Sequence, residues 1–324
     1  MTLLGKIIKK AIDVTGGIIK DESPGEAQDK IFCGLLGNAA KTKFGKHYHF
    51  NKLLKHDEPR KAFQAEVPLH DYNKMYKEWW YRVVDGEENV TWPEKPSYFA
   101  LSSGTTGGDP KRIPVTEDMV SAIRSAGIKQ VLALSDFDLP SEFFTKDILM
   151  LGSSTDLQQR DDFLEGEISG ISASNIPTWF SSFYKPGEEI ANIENWDERV
   201  RKIAQKAPEW DVGALSGIPS WIELMLKEVI KYHQLNNIHE IWPNLMVYTT
   251  GGVAFEPHRK SLESLLARPL LYLDTYLASE GFIAYQARPS DQMAMKLCYD
   301  EGFYFEFVPF KPEFFDETGA PRSD

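Results

Sequence analysis

Residues 98–115 read Tyr-Phe-Ala-Leu-Ser-Ser-Gly-Thr-Thr-Gly-Gly-Asp-Pro-Lys-Arg-Ile-Pro-Val, a hydroxyl-and-glycine loop between two apolar runs, 98–101 and 113–115. Ser102, Ser103, Thr105 and Thr106 can donate hydrogen bonds to phosphate oxygens, while Gly104, Gly107 and Gly108 permit positive φ and close approach of backbone N–H groups. Lys111 adds a point charge. The stretch therefore reads as a nucleotide-phosphate cradle. It is not a Walker loop, because G-x-x-x-x-G-K-[ST] needs glycine five residues after Gly104 and Asp109 stands there. Nor is it a dinucleotide fingerprint, since G-x-G-x-x-G is absent. The alternative reading is a Ser/Gly hairpin with no ligand.

Downstream of the loop, Thr116 can cap a helix with Glu117 and Asp118 in its first turn, running to about residue 134. A strand is expected over 147–151, then a polar excursion that reads as loop through 174, and a helix over 200–207. Residues 212–215 read as strand and 216–219 as turn, with Ser220 and Glu223 forming a capping box for a helix to about 233. A strand over 245–250 ends at Gly251-Gly252, a helix follows over 257–267, and a strand over 270–275 leads into Tyr276-Leu277-Ala278-Ser279-Glu280. Alternating strands and helices predict an α/β sheet with helices on its faces, and such sheets bind ligands beyond the carboxyl ends of their strands. The Ser102 loop, the Gly251-Gly252 turn and the segment 276–280 all fall at such ends. Tyr276 can stack on adenine, Glu280 can hold magnesium between phosphates and Ser279 can add a hydroxyl. Read singly, Tyr276 is a core residue and Glu280 a salt-bridge partner.

Upstream, helical patterns over 25–36 and 63–66 bracket a His-rich loop, 44–56. His47 and His49 would share one side of an extended strand, but with no third ligand nearby they read as surface residues. Residues 72–81, with Trp79 and Trp80, read as an aromatic helix. In residues 1–20 apolar side chains recur near helical spacing among Lys6, Lys9 and Lys10; packing on its own domain is preferred to a membrane surface.

Composition excludes several classes. With 324 residues, 42% hydrophobic and 12% aromatic, the chain can bury a sizeable core. A net charge of −12 argues against a nucleic-acid partner, so an anionic ligand must be held locally. Cys33 and Cys298, the only cysteines, make neither a disulfide framework nor a zinc pattern, and a cytoplasmic home is expected. No apolar run nears the ~18 residues of a membrane span, so integral membrane association is not expected.

The loop with Lys111, followed by Tyr276-Leu277-Ala278-Ser279-Glu280, resembles the acyl-adenylate-forming superfamily. The fuller likeness is to its auxin-responsive promoter branch, the acyl acid amido synthetases. It is carried also by Thr42-Lys43-Phe44-Gly45, Val67-Pro68-Leu69 with Asp71-Tyr72, Ile113-Pro114-Val115-Thr116, Ser216-Gly217-Ile218-Pro219-Ser220-Trp221 and Ile241-Trp242-Pro243-Asn244-Leu245. The resemblance implies the large N-terminal domain of that α/β fold, with layered sheets and a β-barrel-like part. It implies a helical part over 1–95 and an ATP- and acyl-binding part over 96–324. ATP and a carboxylic acid would give an acyl-adenylate and pyrophosphate, and an amino acid amine would then take the acyl group. In this reading Ser102, Ser103, Gly104, Thr105, Thr106 and Gly107 hold phosphates, and Lys111 is catalytic, neutralising charge on the departing pyrophosphate. Gly251, Gly252, Tyr276 and Ser279 frame AMP, Glu280 is the catalytic ligand of Mg2+, and Val120, Ile123, Arg124, Ile128 and Ile218 line the acyl pocket.

The likeness departs at the end. The family's ribose-binding segment and small C-terminal domain are not in the sequence, and residues 303–310 and 316–321 read as a strand and a turn that precede more sheet. The chain is expected to be a C-terminally truncated piece of the domain. Two alternatives stand beside the amide-forming ligase: transfer to coenzyme A or another thiol, and a non-catalytic nucleotide-binding fragment.

Overall fold

Near-continuous apolar runs, such as Ile148-Leu149-Met150-Leu151, suit strands buried on both faces, and the computed structural model places them in one parallel sheet. The structure describes all residues except 1–2, 19–21, 103–109, 153–156, 161, 177–180, 291–292, 318 and 323–324. The strands are β1 Tyr98–Ser102, β2 Lys111–Val115, β3 Asp147–Leu151, β4 Gln158–Gln159, β5 Leu164–Gly166, β6 Tyr184–Lys185, β7 Val212–Gly217, β8 Val247–Gly251, β9 Leu271–Ala278, β10 Gly281–Tyr285 and β11 Lys296–Leu297. Among the described residues they form a four-stranded sheet, β2-β1-β5-β4, and a seven-stranded sheet, β11-β10-β9-β8-β7-β3-β6. The chain divides into two units: Met1–Lys20 with Phe99–Ile113 and Val120–Cys298, and Asp21–Tyr98 with Pro114–Met119 and Tyr299–Asp324.

In the first unit β6, β3, β7, β8 and β9 run parallel. Successive side chains point to opposite faces. Leu149, Leu151, Leu215, Tyr248 and Tyr272 join Ile203, Ile222, Met225, Leu226 and Trp242 on one face. Ala214, Val247 and Leu273 meet Phe137, Leu139 and Phe143 on the other. The N-terminal helix, Leu3–Ile18, packs within this unit: Ile12 is buried, Gly16 lies against Leu132 and Ser135, and Lys9 sits over the Phe144 ring. No described helix is long and apolar enough to cross a membrane.

Three local expectations change here. The polar stretch read as loop contains β4, β5 and the helix Ile168–Ser174; its polarity hid a strand pinned by charge. Glu165 in β5 is 1% exposed and accepts from Arg112 Nε at 2.8 Å and Arg160 Nε at 2.6 Å. The helix Pro219–His233 has Ile218 at its N-cap with no side-chain cap. Proline at the first helical position starts the helix one residue early, and Glu223 bonds Lys227 and Ser261 instead of a backbone N–H. The strand expected to end at Thr275 runs on to Ala278 and turns back into β10.

Burial pushes the Glu165 carboxyl upward while hydrogen bonds from Arg112 and Arg160 pull it down, and the net effect is below the usual value. A carboxyl lowered by folding stabilises above its unfolded pKa, and that stability is lost as pH falls through the folded pKa. Glu165→Gln is therefore expected to cost about 2 kcal/mol at pH 7, discounted because Arg160 is half exposed. Thermal unfolding of both proteins between pH 3 and pH 7 checks this; a gap that does not narrow in acid would refute the ion-pair account.

The second unit is mostly helical. Ser23, Thr42 and Asp71 cap helices by accepting from Glu26, Gly45 and Lys74 N–H groups. Residues 44–56 are not a loop with an extended histidine pair. They lie largely in the short helices Lys43–His47 and Phe50–Leu53, with His49 between them at φ 54°. Aromatic packing explains the difference: Phe44 and His47 both meet Trp79 edge-to-face, at 5.1 and 5.4 Å between ring centroids. Both histidines are exposed, and no described group of three or more His, Cys, Asp or Glu residues could hold a metal. The expected strand over 303–310 joins neither sheet. The Gln28 amide replaces a neighbouring strand, donating to Tyr299 O and Phe303 O at 2.6 and 2.8 Å and accepting from Phe305 N–H at 2.7 Å.

Candidate functional site at the carboxyl edge of the large sheet

The register lines the strand ends up. Leu151 pairs with Gly217, Gly217 with Thr250 and Thr250 with Asp274. Gln286 extends the row by donating its N–H to Asp274 O at 2.9 Å. Gly251 pairs with Thr275 one step further on. At ~3.3 Å per residue, Tyr276–Ala278 therefore project up to about 10 Å past the last paired residue of β8.

Gly251 and Gly252 make this edge bare. A Cβ on Gly251 would lie 2.7 Å from Thr275 Oγ1, and Gly252, at φ 82°, packs against Ile218 with 3.3 Å from its Cβ position to Cγ1. The hydroxyl of Thr275 donates to Thr250 O at 2.9 Å, and that of Tyr248 to Gly217 O at 2.9 Å. Those bonds tie β7, β8 and β9 together directly beneath the edge. Tyr276 stands above it, 53% exposed. Ser279 and Glu280 form the turn between Ala278 and Gly281, which pair across the β9–β10 hairpin, and Glu280 is exposed there.

The sequence-derived residues are thus partly gathered. Gly251, Gly252, Ile218 and Tyr276 share the edge, with Ser279 and Glu280 on the hairpin rising from it. On the helix Glu117–Ala133, Val120 is buried and Ile123 packs with Ala126, Phe282, Tyr285 and Leu277. Arg124 and Ile128 lie on the exposed side, so the four do not form one lining. Ser102 ends β1 and Lys111 begins β2, both half-buried. The eight residues joining these adjacent strands are fewer than a parallel crossover needs, so Ser102 and Lys111 stand at the same end. Ser103, Gly104, Thr105, Thr106 and Gly107 lie outside the described residues. The helix after β5, Ile168–Ser174, abuts β9 and links the two sheets.

Sequence reasoning missed Thr275, Tyr248 and the Asp274–Gln286 pair. Asp274 carried the one available signal, a carboxylate inside an apolar strand. Burial raises its pKa, opposed by the hydrogen bond from Thr275 N–H. Gln286 is 3% exposed and accepts from Asp274 N–H at 3.2 Å.

The bare edge fits a nucleotide: a flat base can approach backbone where no Cβ stands, with an exposed ring beside it. One exposed carboxylate fits magnesium, which takes one or two carboxylates together with substrate phosphates.

Solved structures share this fold. An acyl acid amido synthetase, GH3.15, in complex with 2,4-DB superposes with a TM-score of 0.68 at 15% identity, over 90% of this chain and 60% of that one. A second GH3.15 structure matches equally well, at 13% identity. A 2-hydroxyisobutyryl-CoA ligase in complex with 2-HIB-AMP and CoA, in its thioesterification state, matches with a TM-score of 0.53 at 14% identity, over 99% of this chain and 58% of that one. The chain thus spans about 60% of the length of the structures it matches. No curated protein matches the sequence significantly. The fold is that of the large N-terminal domain of adenylate-forming enzymes. The sequence matches the GH3 family N-terminal domain over residues 20–185, just over half of the chain, and the protein belongs to the GH3 family.

Proposed function

We propose that this chain carries the ATP- and acid-binding part of a ligase that activates a carboxylic acid as an acyl-adenylate, releasing pyrophosphate, and conjugates it to the amine of an amino acid. The observation carrying the proposal is the bare Gly251-Gly252 edge lying against Ile218 and beneath Tyr276. Tyr276 would stack on adenine, and the glycine backbone would admit the nucleotide. Ser102, Lys111 and residues 103–107 would hold the phosphates. Glu280 would hold Mg2+, which when bound neutralises charge on the departing pyrophosphate.

The acid is already ionised at pH 7 and needs no general base, so the protein's task is orientation and electrostatic stabilisation. Ile218, the buried Val120 and the half-buried Ile123 favour an acid with an apolar body, aromatic or medium-chain. The two free cysteines suit a reducing cytoplasm.

ATP–pyrophosphate exchange against a panel of carboxylic acids tests the reading. Acid-dependent exchange is expected, falling about 100-fold in Glu280→Gln, as expected for loss of one charge-stabilising group. Exchange with no acid would sink the proposal. Capture of the acyl group by thiols but not by amino acids would move it to the thiol-forming ligases.

A further inference from the structure

We propose that the outer side of the helix Leu3–Ile18 docks on an anionic lipid surface. The helix has two apolar sides. Gly5 and Ile12 are buried, and Gly16 is half-buried against Leu132 and Ser135, so one side is taken up by packing within its own unit. At 3.6 residues per turn, Ile7, Ala11 and Val14 fall within about 60° of one another on the opposite side. All three are exposed, Ile7 by 57% and Val14 by 51%. Packing therefore accounts for Ile12 and gives Ile7 and Val14 no partner.

Charge selects the occupant. Lys6 and Lys10 are exposed and border the stripe from Ile7 to Val14. Residues 1–12 carry three lysines and no carboxylate, in a chain whose net charge is −12. The third lysine, Lys9, sits over the Phe144 ring and pairs with Asp13 at 3.6 Å. Asp136 belongs to the turn Leu134–Asp136, on which the inner side packs. A short apolar stripe edged by lysines suits the plane of a membrane, where the apolar groups enter the acyl boundary and the ammonium groups meet the headgroups. Attraction to anionic lipid acts over about 8–10 Å in physiological salt, so lysines at the contact count for more than acidic groups beyond it.

The same argument rejects the other exposed apolar segment. Phe307 and Phe310 are more accessible, at 78% and 95%. Residues 301–317 hold five carboxylates and one lysine, however, and an anionic surface repels that balance.

The chain is sedimented, without ATP, with vesicles of phosphatidylcholine alone and of phosphatidylcholine with about one third phosphatidylserine. Binding is expected only where phosphatidylserine is present, and is expected to be lost in about 1 M salt, where the screening length is about 3 Å. Lys6→Gln and Lys10→Gln should each weaken it about fivefold. Ile7→Ser combined with Val14→Ser should weaken it at least about tenfold. Both side chains are exposed, so the thermal midpoint of that variant should stay within a few degrees of the parent, which separates lost binding from lost folding. Phe307→Ser combined with Phe310→Ser is the matched control and should bind as the unmodified chain does. The proposal is overturned if the unmodified chain fails to bind, binds phosphatidylcholine alone equally well, or loses binding through the Phe307 and Phe310 changes instead. A dimer in solution that Ile7→Ser and Val14→Ser dissolve would also overturn it, because a second copy would then cover this side. The result stands apart from the adenylation reading, because neither nucleotide nor acid is present.

Discussion

Trp242→Ala is expected to lower stability by about 3–5 kcal/mol, the range for emptying a large aromatic site in a packed core. Trp242 is fully buried among the apolar side chains on one face of the seven-stranded sheet. Its indole Nε1–H donates to Ala207 O at 2.9 Å. That carbonyl belongs to the residue that caps the helix Trp196–Lys206, where helix geometry leaves carbonyls without an internal partner. Removing the side chain therefore opens a cavity and takes away the shorter of two hydrogen bonds to that carbonyl, which still accepts from Trp210 N–H at 3.3 Å. Trp242→Phe separates the two, keeping most of the volume and losing only the donor, at about 1 kcal/mol. Urea denaturation of the three proteins measures both. Equal losses in Phe and Ala would mean that the hydrogen bond carries the effect and the packing argument is wrong.

The parallel sheet was legible because burial on both faces writes itself as apolar runs, as in Ile148–Leu151. The turns were legible because Gly251-Gly252 and Ser216-Gly217-Ile218-Pro219 have few conformational uses. Register was not, since nothing local says that Gly251 faces Thr275. That pairing makes Tyr276 the first residue clear of β8 and turns the segment to Glu280 into a hairpin arm. The histidine segment misled because its helices are set by contacts with Trp79, more than thirty residues away. Residues 303–310 misled because a strand pattern cannot report whether a partner strand exists, and here Gln28 takes that place. Arg199, only 7% exposed within the helix Trp196–Lys206, was invisible for a similar reason. Charged residues in a helix such as Trp196–Lys206 read as a solvated face until packing shows which one is buried.

Gly217→Ala should cost about 3 kcal/mol and weaken the proposed nucleotide binding beyond what lost stability explains. Gly217 ends β7 at φ 151°, a conformation that side chains rarely adopt. A Cβ there would stand 2.5 Å from the carbonyl oxygen of Leu151 and 3.3 Å from Ile222 Cδ1. The first neighbour is backbone and cannot rotate away, so β7 must separate from β3. Overpacking of this kind costs about 1–3 kcal/mol, and the left-handed conformation adds about 1–2 kcal/mol. The displacement also falls on the site. Gly217 O accepts from Tyr248, and Ile218 is the residue against which Gly252 packs. Gly187→Ala is the matched control, since Gly187 also has positive φ, at 84°, but its Cβ would meet nothing within 4 Å. It should lose only the conformational part, about 1 kcal/mol. Thermal unfolding of both variants, with ATP affinity measured below either midpoint, decides the matter. Equal destabilisation would show that φ alone governs Gly217, and unchanged ATP affinity would show that the end of β7 does not shape the nucleotide edge.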